Sequence, residues 1–193
     1  MNIIPLLDRH PEIKRLPIPF SKEQLLIEEG NECKGIYFVI KGEVKISSYS
    51  LGGREIIYNS LKAGMMFGNN LVFSSDRLFR GHVIGVEDGN LIYIRKEDLL
   101  YLLQNDRDFL VGYLSYQSDF GRGLNEKIKI LGLDNAKERL LYYLSVHHGE
   151  KAFASITALA EELFLKRETL SRLLHSLEKA GVIALKPHKV KLM

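Results

Sequence analysis

The chain has 193 residues, of which 46% are hydrophobic and 26% charged, with a formal net charge of +3 and one cysteine. These proportions suit a globular protein of one large domain or two small ones and argue against a disordered chain. Cys33, the single cysteine, excludes an intrachain disulfide and any cluster held by several cysteines, and we read it as incidental rather than as a redox switch. No run of about 18 apolar residues occurs, and the N-terminus MNIIPLLDRHPEIKR has no basic segment leading into a long apolar one. Neither a membrane span nor a secretory leader is expected, and the expected location is the cytoplasm.

After a proline-rich lead-in (Pro5, Pro11, Pro17, Pro19), the chain reads as short extended runs separated by glycine. The runs are Gln24 to Ile27, Gly35 to Ile40, Glu43 to Ser48, Glu55 to Leu61 and Gly89 to Ile94. The separators Glu29-Gly30-Asn31, Lys41-Gly42, Gly52-Gly53, Ala63-Gly64 and Asp88-Gly89-Asn90 supply the left-handed conformations that tight turns need. This pattern predicts a small antiparallel β-roll or barrel, and no helical period competes with it before Lys96.

From Asp108 to Leu131 the pattern is one long helix. Leu110, Leu114, Gln117, Gly121, Leu124, Ile128 and Leu131 alternate spacings of four and three, the seam of a coiled coil; the plain alternative is a helix packed on its own domain. Gln117 and the glycines at 112, 121 and 123 soften this seam, since each glycine lowers helix propensity by roughly 1 kcal/mol. Gly132-Leu133-Asp134 breaks the helix and is the natural hinge, and Asn135 to His148 begins the next helix with Arg139, Leu140, Leu141 and Leu144.

The stretch Ser155 to Gly181 holds two helical patterns. Ile156, Leu159, Ala160 and Leu163 form the first, and Leu170, Leu173, Leu174 and Leu177 the apolar stripe of the second, with Phe164, Leu165 and Lys166 between them. That is helix-turn-helix spacing. Opposite the second stripe, Arg167, Glu168, Ser171, Arg172 and His175 project together, a face able to reach base edges. From Lys166 to Met193 seven basic residues stand against Glu168 and Glu178, so this piece carries 7 − 2 = +5 while the whole chain carries only +3. Positive charge concentrated on the terminal piece is an electrostatic footprint for phosphate. Val182 to Leu192 alternates as a short hairpin, with Lys186, His188 and Lys189 at its tip. The plain alternative is a helical hairpin with a solvated charged face.

The segments RETLSRLL and LEKAGVI resemble the winged helix-turn-helix of the cyclic AMP receptor protein and fumarate–nitrate regulator (Crp/Fnr) family of bacterial transcription factors. The order EEGNECKGIYFVIKGEVKIS, GGRE and LKAGMMFG resembles the cyclic-nucleotide-binding-type β-roll of the same family, so the likeness covers nearly the whole chain. It implies an α+β protein with a β-roll sensor over 1–108, a dimerisation helix and hinge over 109–133, and a winged helix-turn-helix over 134–193. It also implies that Arg167, Glu168 and Arg172 read bases, and that Ser171 holds a position used in the fumarate–nitrate branch. Arginine can grip guanine O6 and N7, and glutamate can accept from cytosine N4. Thr169 and Lys166 are placed on phosphate or water, and Lys186, His188 and Lys189 on the DNA backbone. The implied partners are double-stranded DNA, a second copy of the chain, RNA polymerase and an unidentified small molecule, with no membrane.

The resemblance places an effector pocket at Phe67, Gly68, Asn69, Asn70, Arg80 and Leu124. Members that bind cyclic AMP have a glutamate after the Phe-Gly pair for the ribose and an arginine for the phosphate. Here Asn69 and Asn70 follow Phe67-Gly68, the phosphate arginine falls on Phe79 with Arg80 one residue on, and the adenine-contacting Thr-Ser pair falls on Leu124 and Asn125. Cyclic AMP is therefore not the expected effector. An iron–sulfur cluster is disfavoured by the cysteine count, and haem stays open by ligand type through Cys33 and His82. Two further departures are Phe164, where the family has a turn glycine, and Lys166, where it has a serine cap. The rival readings are a ligand-binding β-roll whose C-terminal helices bind protein rather than DNA, and a small cupin-like enzyme. The absence of metal-ligand clusters and nucleophile triads in the sequence argues against the enzyme.

Overall fold

In the computed structural model, which describes residues 3–193, a 3-10 turn at Ile4–Arg9 leads into eight strands. They are β1 (Leu16–Phe20), β2 (Leu25–Ile27), β3 (Gly35–Lys41), β4 (Glu43–Tyr49), β5 (Glu55–Lys62), β6 (Met66–Phe67), β7 (His82–Gly85) and β8 (Gly89–Arg95). Two helices follow, α1 (Lys96–Asn105) and α2 (Arg107–Leu131). The remainder is α3 (Ala136–Val146), β9 (Glu150–Ala152), α4 (Ile156–Glu162), α5 (Arg167–Lys179), β10 (Ile183–Lys186) and β11 (Lys189–Leu192). The chain forms two compact units, one ending at Ser118 and the other beginning at Asp119, so the division falls inside α2.

The first unit is a roll of two four-stranded antiparallel sheets, ordered β1-β8-β3-β6 and β2-β7-β4-β5. The five expected strands are present within a residue or two at each end, and α1 begins at Lys96 where the helical period begins. Three strands go beyond the sequence reading. β1 contains Pro17 and Pro19, yet pairs with β8 from Leu16↔Tyr93 to Phe20↔Gly89. β1 lies at a sheet edge and needs hydrogen bonds on one side only, so residues without an N–H are tolerated two apart. β6 and β7 have only two and four residues, too few to show a period.

Of the glycine separators, Gly30, Gly42, Gly53 and Gly64 have positive φ. Gly89 is needed for a different reason: a Cβ there would lie 2.2 Å from the carbonyl oxygen of Lys41, so β8 could not close on the end of β3. Ile36, Phe38, Val39, Val44, Leu91 and Ile94 fill the roll, and Leu99, Leu102, Phe109 and Tyr113 bring α1 and the start of α2 onto the same core. The second unit has its own core of Ile130, Leu140, Leu144, Leu159, Leu163, Leu170, Leu174 and Val190. Its helices are covered by a three-stranded sheet ordered β10-β11-β9. The expected hairpin forms, and β9 adds the third strand.

The N-terminal segment is clasped to the α1–α2 junction. Arg9 pairs with Asp108 at 2.7 Å, and His10 bridges Asp106 at 2.8 Å and Glu12 at 3.1 Å. The other oxygen of Asp106 accepts the Phe109 N–H at 3.0 Å, so one carboxylate both caps α2 and holds His10. The hydrogen bond to Asp106, and then that to Glu12, raises the His10 pKa above its usual value. The Phe109 N–H, and then His10, lowers Asp106, while its own backbone N–H, and then His10, lowers Glu12. Because the His10 pKa is raised on folding, its contribution is full below the ordinary imidazole value and is lost as pH rises through the raised one. The lowered carboxylates contribute above the ordinary carboxylate range and lose that contribution on acidification. The clasp, in which Asp106, Glu12, Asp108 and Arg9 are the neighbouring charges, is therefore tightest between those limits. The thermal midpoint of His10→Gln should lie furthest below wild type near about pH 6 and approach it by about pH 9; an equal gap at both would show that His10 charge is irrelevant.

Candidate nucleic-acid interface and sensor segment

In the second unit, Ser155 caps α4 by accepting the Ala158 N–H at 3.1 Å. The C-terminus of α4 closes in a Schellman motif: Phe164 N–H donates to Glu161 O at 3.1 Å, and Leu165 N–H to Ala160 O at 2.8 Å. The motif requires a left-handed residue, and Phe164 fills it with φ of 55°. The turn therefore keeps the shape glycine would give, with a bulky residue in place. α5 then starts from Lys166, whose extended backbone (φ −73°, ψ 141°) serves as N-cap without a side-chain bond.

Leu170, Leu174 and Leu177 turn α5 onto the core. Arg167, Glu168, Thr169, Arg172 and His175 are exposed on its other side, and Ser171 is half-buried beside them. Among the described residues, none makes a hydrogen bond or ion pair with the side chains of Lys166, Arg167, Glu168 or Arg172, whereas His175 Nδ1 is engaged with the Ser171 carbonyl at 2.8 Å. Unpaired charges on a rigid helix face keep their full capacity for an external partner, because no internal bond must break first.

β10 and β11 are joined by Pro187-His188, with His188 left-handed at φ of 57°. The His188 carbonyl accepts the Phe153 N–H at 2.9 Å. Lys186 stands directly opposite Lys189, a like-charge pair that is unfavourable unless an anion is near. Glu150 supplies one by pairing with Lys189 at 2.8 Å. Glu150 and Lys191 line the same shallow depression as Lys186 and Lys189; the strand that carries Glu150 is too short to read from sequence.

In the first unit, Phe67 is buried and stacks on Tyr37 at 4.8 Å. Gly68 has φ of 82° and lies so near Gly35 that a Cβ would sit 2.8 Å from that carbonyl oxygen. Asn69 is only 3% exposed. Its carbonyl accepts from Tyr113 Oη at 3.1 Å and from Gln117 Nε2 at 3.0 Å, and its amide donates to Gln117 Oε1. One turn away, Tyr116 Oη accepts the Met66 N–H at 3.0 Å and donates to the Met66 carbonyl at 2.8 Å. Three side chains at i, i+3 and i+4 of α2 thus hold the segment 66–69. Burial pushes Tyr113 up to about 12, so its hydroxyl stays a donor near neutral pH.

Of the other residues of the expected pocket, Asn70 is exposed, Arg80 is exposed and paired with Asp76, and Leu124 is exposed. Phe79 is buried against Tyr37. Cys33 is fully buried, donates to the Gly35 carbonyl at 3.0 Å, and has its thiol pKa raised by burial. His82 accepts the Glu29 N–H through Nδ1 at 3.1 Å. Among the described residues no group of three or more His, Cys, Asp or Glu is placed to hold a metal ion, and no helix is long and apolar enough to cross a membrane. On α2, Leu114, Leu124, Ile128 and Leu131 are 53, 48, 59 and 49% exposed, so four of the seven expected seam positions carry uncovered apolar side chains. Gln117 is engaged by Asn69.

The family model for the cyclic nucleotide-binding domain matches residues 17–106, and that for the MarR family matches residues 131–190. The chain is 28% identical over 179 residues to the cyclic AMP receptor protein of Thermus thermophilus, covering 84% of this chain and 77% of that one. It is 27% identical over 194 residues to the fumarate and nitrate reduction regulatory protein of Escherichia coli, covering 93% and 76%. A structure of a CooA variant from Carboxydothermus hydrogenoformans superposes with a TM-score of 0.73 at 18% identity, covering 100% of this chain and 91% of that one. The chain belongs to the Crp/Fnr family. It is a DNA-binding transcription regulator with an effector-binding-type domain, in a family of regulators rather than enzymes. Crp/Fnr regulators bind DNA as dimers and answer to small-molecule effectors.

The hold of α2 on segment 66–69 is open to a direct test. Tyr116→Phe removes both partners of the Met66 backbone, and a buried polar group left unpaired costs about 1–3 kcal/mol. The urea midpoint of this Crp/Fnr protein should fall accordingly, with the slope unchanged; an unaltered midpoint would mean that water replaces the hydroxyl.

Proposed function

We propose that this protein is a homodimeric, cytoplasmic regulator that reads an inverted-repeat DNA site with α5, and that its β-roll answers to an effector other than cyclic AMP. The observation that carries the DNA reading is the exposed set Arg167, Glu168 and Arg172 on the first two turns of α5, unpaired among the described residues, in a piece of chain carrying +5. Arg167 and Arg172 take the role of bidentate donors to guanine, and Glu168 that of an acceptor from cytosine. Ser171 stands beside them at the position used in the fumarate–nitrate branch, Thr169 and Lys166 flank them at phosphate or water, and Lys186, His188 and Lys189 reach the backbone from the wing. RNA polymerase is the expected protein partner once the regulator is on its site.

The dimer reading rests on the stripe Leu114, Leu124, Ile128 and Leu131. A parallel two-fold pairing along it would present two copies of α5 to half-sites about one helical turn apart. Against cyclic AMP stand Asn69, which lacks a carboxylate and is engaged by Gln117, and Phe79, which is part of the core.

Selection of bound sequences from a random duplex pool should yield a palindrome, and Arg172→Ala should lose about 1–3 kcal/mol of discrimination at one base pair in each half-site. Lys186→Ala should weaken all sequences alike and flatten the salt dependence by roughly one unit for each phosphate it no longer neutralises. Failure of the wild-type protein to enrich any motif, with no response to salt, would favour a protein-binding role for these helices. Placing aspartate at both Leu124 and Ile128 should shift sedimentation to the monomer; an unmoved dimer would place the interface elsewhere.

A further inference from the structure

Phe164 sits in the left-handed region, where a side chain other than glycine is strained. Two other helix ends of this unit also turn through left-handed residues. α5 ends on Gly181, with φ of 70°, and its motif closes through Gly181 N–H to Glu178 O at 2.9 Å and Val182 N–H to Leu177 O at 3.0 Å. α3 ends on His148 with φ of 58°, followed at once by Gly149 with φ of 82°. At Phe164 no glycine is adjacent, and the residue's carbonyl is held from outside the turn.

Arg139 on α3 does this. Its Nη1 donates to the Phe164 carbonyl at 3.3 Å, its Nη2 to the Leu131 carbonyl at 3.2 Å, and its Nε to the Leu133 carbonyl at 3.2 Å. The guanidinium is a rigid planar fork, so three carbonyls from two segments are fixed in one frame. Leu131 and Leu133 lie on either side of Gly132, and Phe164 lies two residues before the N-cap of α5. Among the described residues Arg139 has no acidic partner, so its charge is met by carbonyl dipoles.

We infer that Arg139 is a positioning residue for DNA reading. It holds Phe164 left-handed in the turn that launches α5, which fixes the register of Arg167, Glu168 and Arg172. The inference rests on the DNA reading above and specifies which residue makes that face precise enough to discriminate bases. A lysine would substitute only in part, because a point charge satisfies one carbonyl at a time.

The test is a double-mutant cycle on the full chain. Arg139→Met should lower the ratio of specific to non-specific DNA affinity about tenfold, the scale expected for lost hydrogen bonds to a charged group. The non-specific affinity and its salt dependence should not change, because no phosphate contact is removed. Phe164→Gly alone should leave the ratio unchanged, and in the Arg139→Met background it should restore it to within about threefold, because glycine adopts the left-handed conformation unaided. A ratio that survives Arg139→Met, or that Phe164→Gly fails to restore, would overturn the inference.

Hydrogen exchange at the Leu165 amide gives a readout without DNA. Its protection should drop in Arg139→Met and return in the double variant, and equal protection in all four proteins would sink the latch even if DNA binding were intact. Conversely, a wild-type protein that enriches no motif while Leu165 follows the cycle would put the fault in the DNA reading, not the latch. Should Arg139→Met not fold, Arg139→Lys serves in its place, with an intermediate ratio expected and a wild-type ratio counting against the proposal.

Discussion

The sensor half of this molecule depends on how a two-residue strand satisfies its backbone. Met66–Phe67 pairs with β3 on one side only, and the N–H and carbonyl of Met66 that remain are met by a single hydroxyl, that of Tyr116. Three residues on, the Asn69 carbonyl is met by Tyr113 and Gln117. A buried backbone group without a partner costs as much as a hydrogen bond is worth, so segment 66–69 and the first turns of α2 move together or incur that penalty. Segment 66–69 and the helix that carries the apolar seam are therefore linked by hydrogen-bond satisfaction alone.

The distribution of charge pairs separates the two units. In the first, cations are widely engaged: Arg9 with Asp108, Arg15 with Asp8, Lys45 with Glu55, Arg77 with Glu32 and Arg80 with Asp76. Such surface pairs add little stability, but they cancel the field that would attract anions. Among the described residues none pairs with Arg167 or Arg172 on α5, and on the wing Lys189 is matched by Glu150. A protein with a net charge of only +3 can thus present a concentrated positive face, because neutralisation is local.

In the second unit three of the helix ends turn through left-handed residues, His148, Phe164 and Gly181, and only one of these is glycine. The strain at Phe164 is small against a folded domain, yet it sits at the point that sets the angle of α5. Strain stored at such a point is tolerated when the surroundings over-determine it, and the three carbonyls held by Arg139 do so.

Much of this was legible in the residues. Periodicity places the five longer strands, the start of α1, the whole of α2 and the helix-turn-helix, because a hydrophobic face repeats at a period fixed by backbone geometry. The apolar seam of α2 and the polar face of α5 follow from the same rule, and Phe164 and Lys166 stand out only against the family pattern, which has a glycine and a serine there. What composition and period cannot show is which distant groups meet. β1 is hidden by its prolines, which only an edge position tolerates, and β6, β7 and β9 are too short to carry a period. Gln117 reads as a flaw in the seam and is in fact the partner of Asn69, 48 residues away. Arg139 reads as one more charge on a helix, and only the packed structure turns it toward the carbonyls of Leu131, Leu133 and Phe164. Local sequence determined the elements and their faces, since those depend on neighbours along the chain; tertiary structure decided the partners of buried polar groups, since a backbone amide or carbonyl has no sequence of its own and takes whichever side chain the fold brings to it.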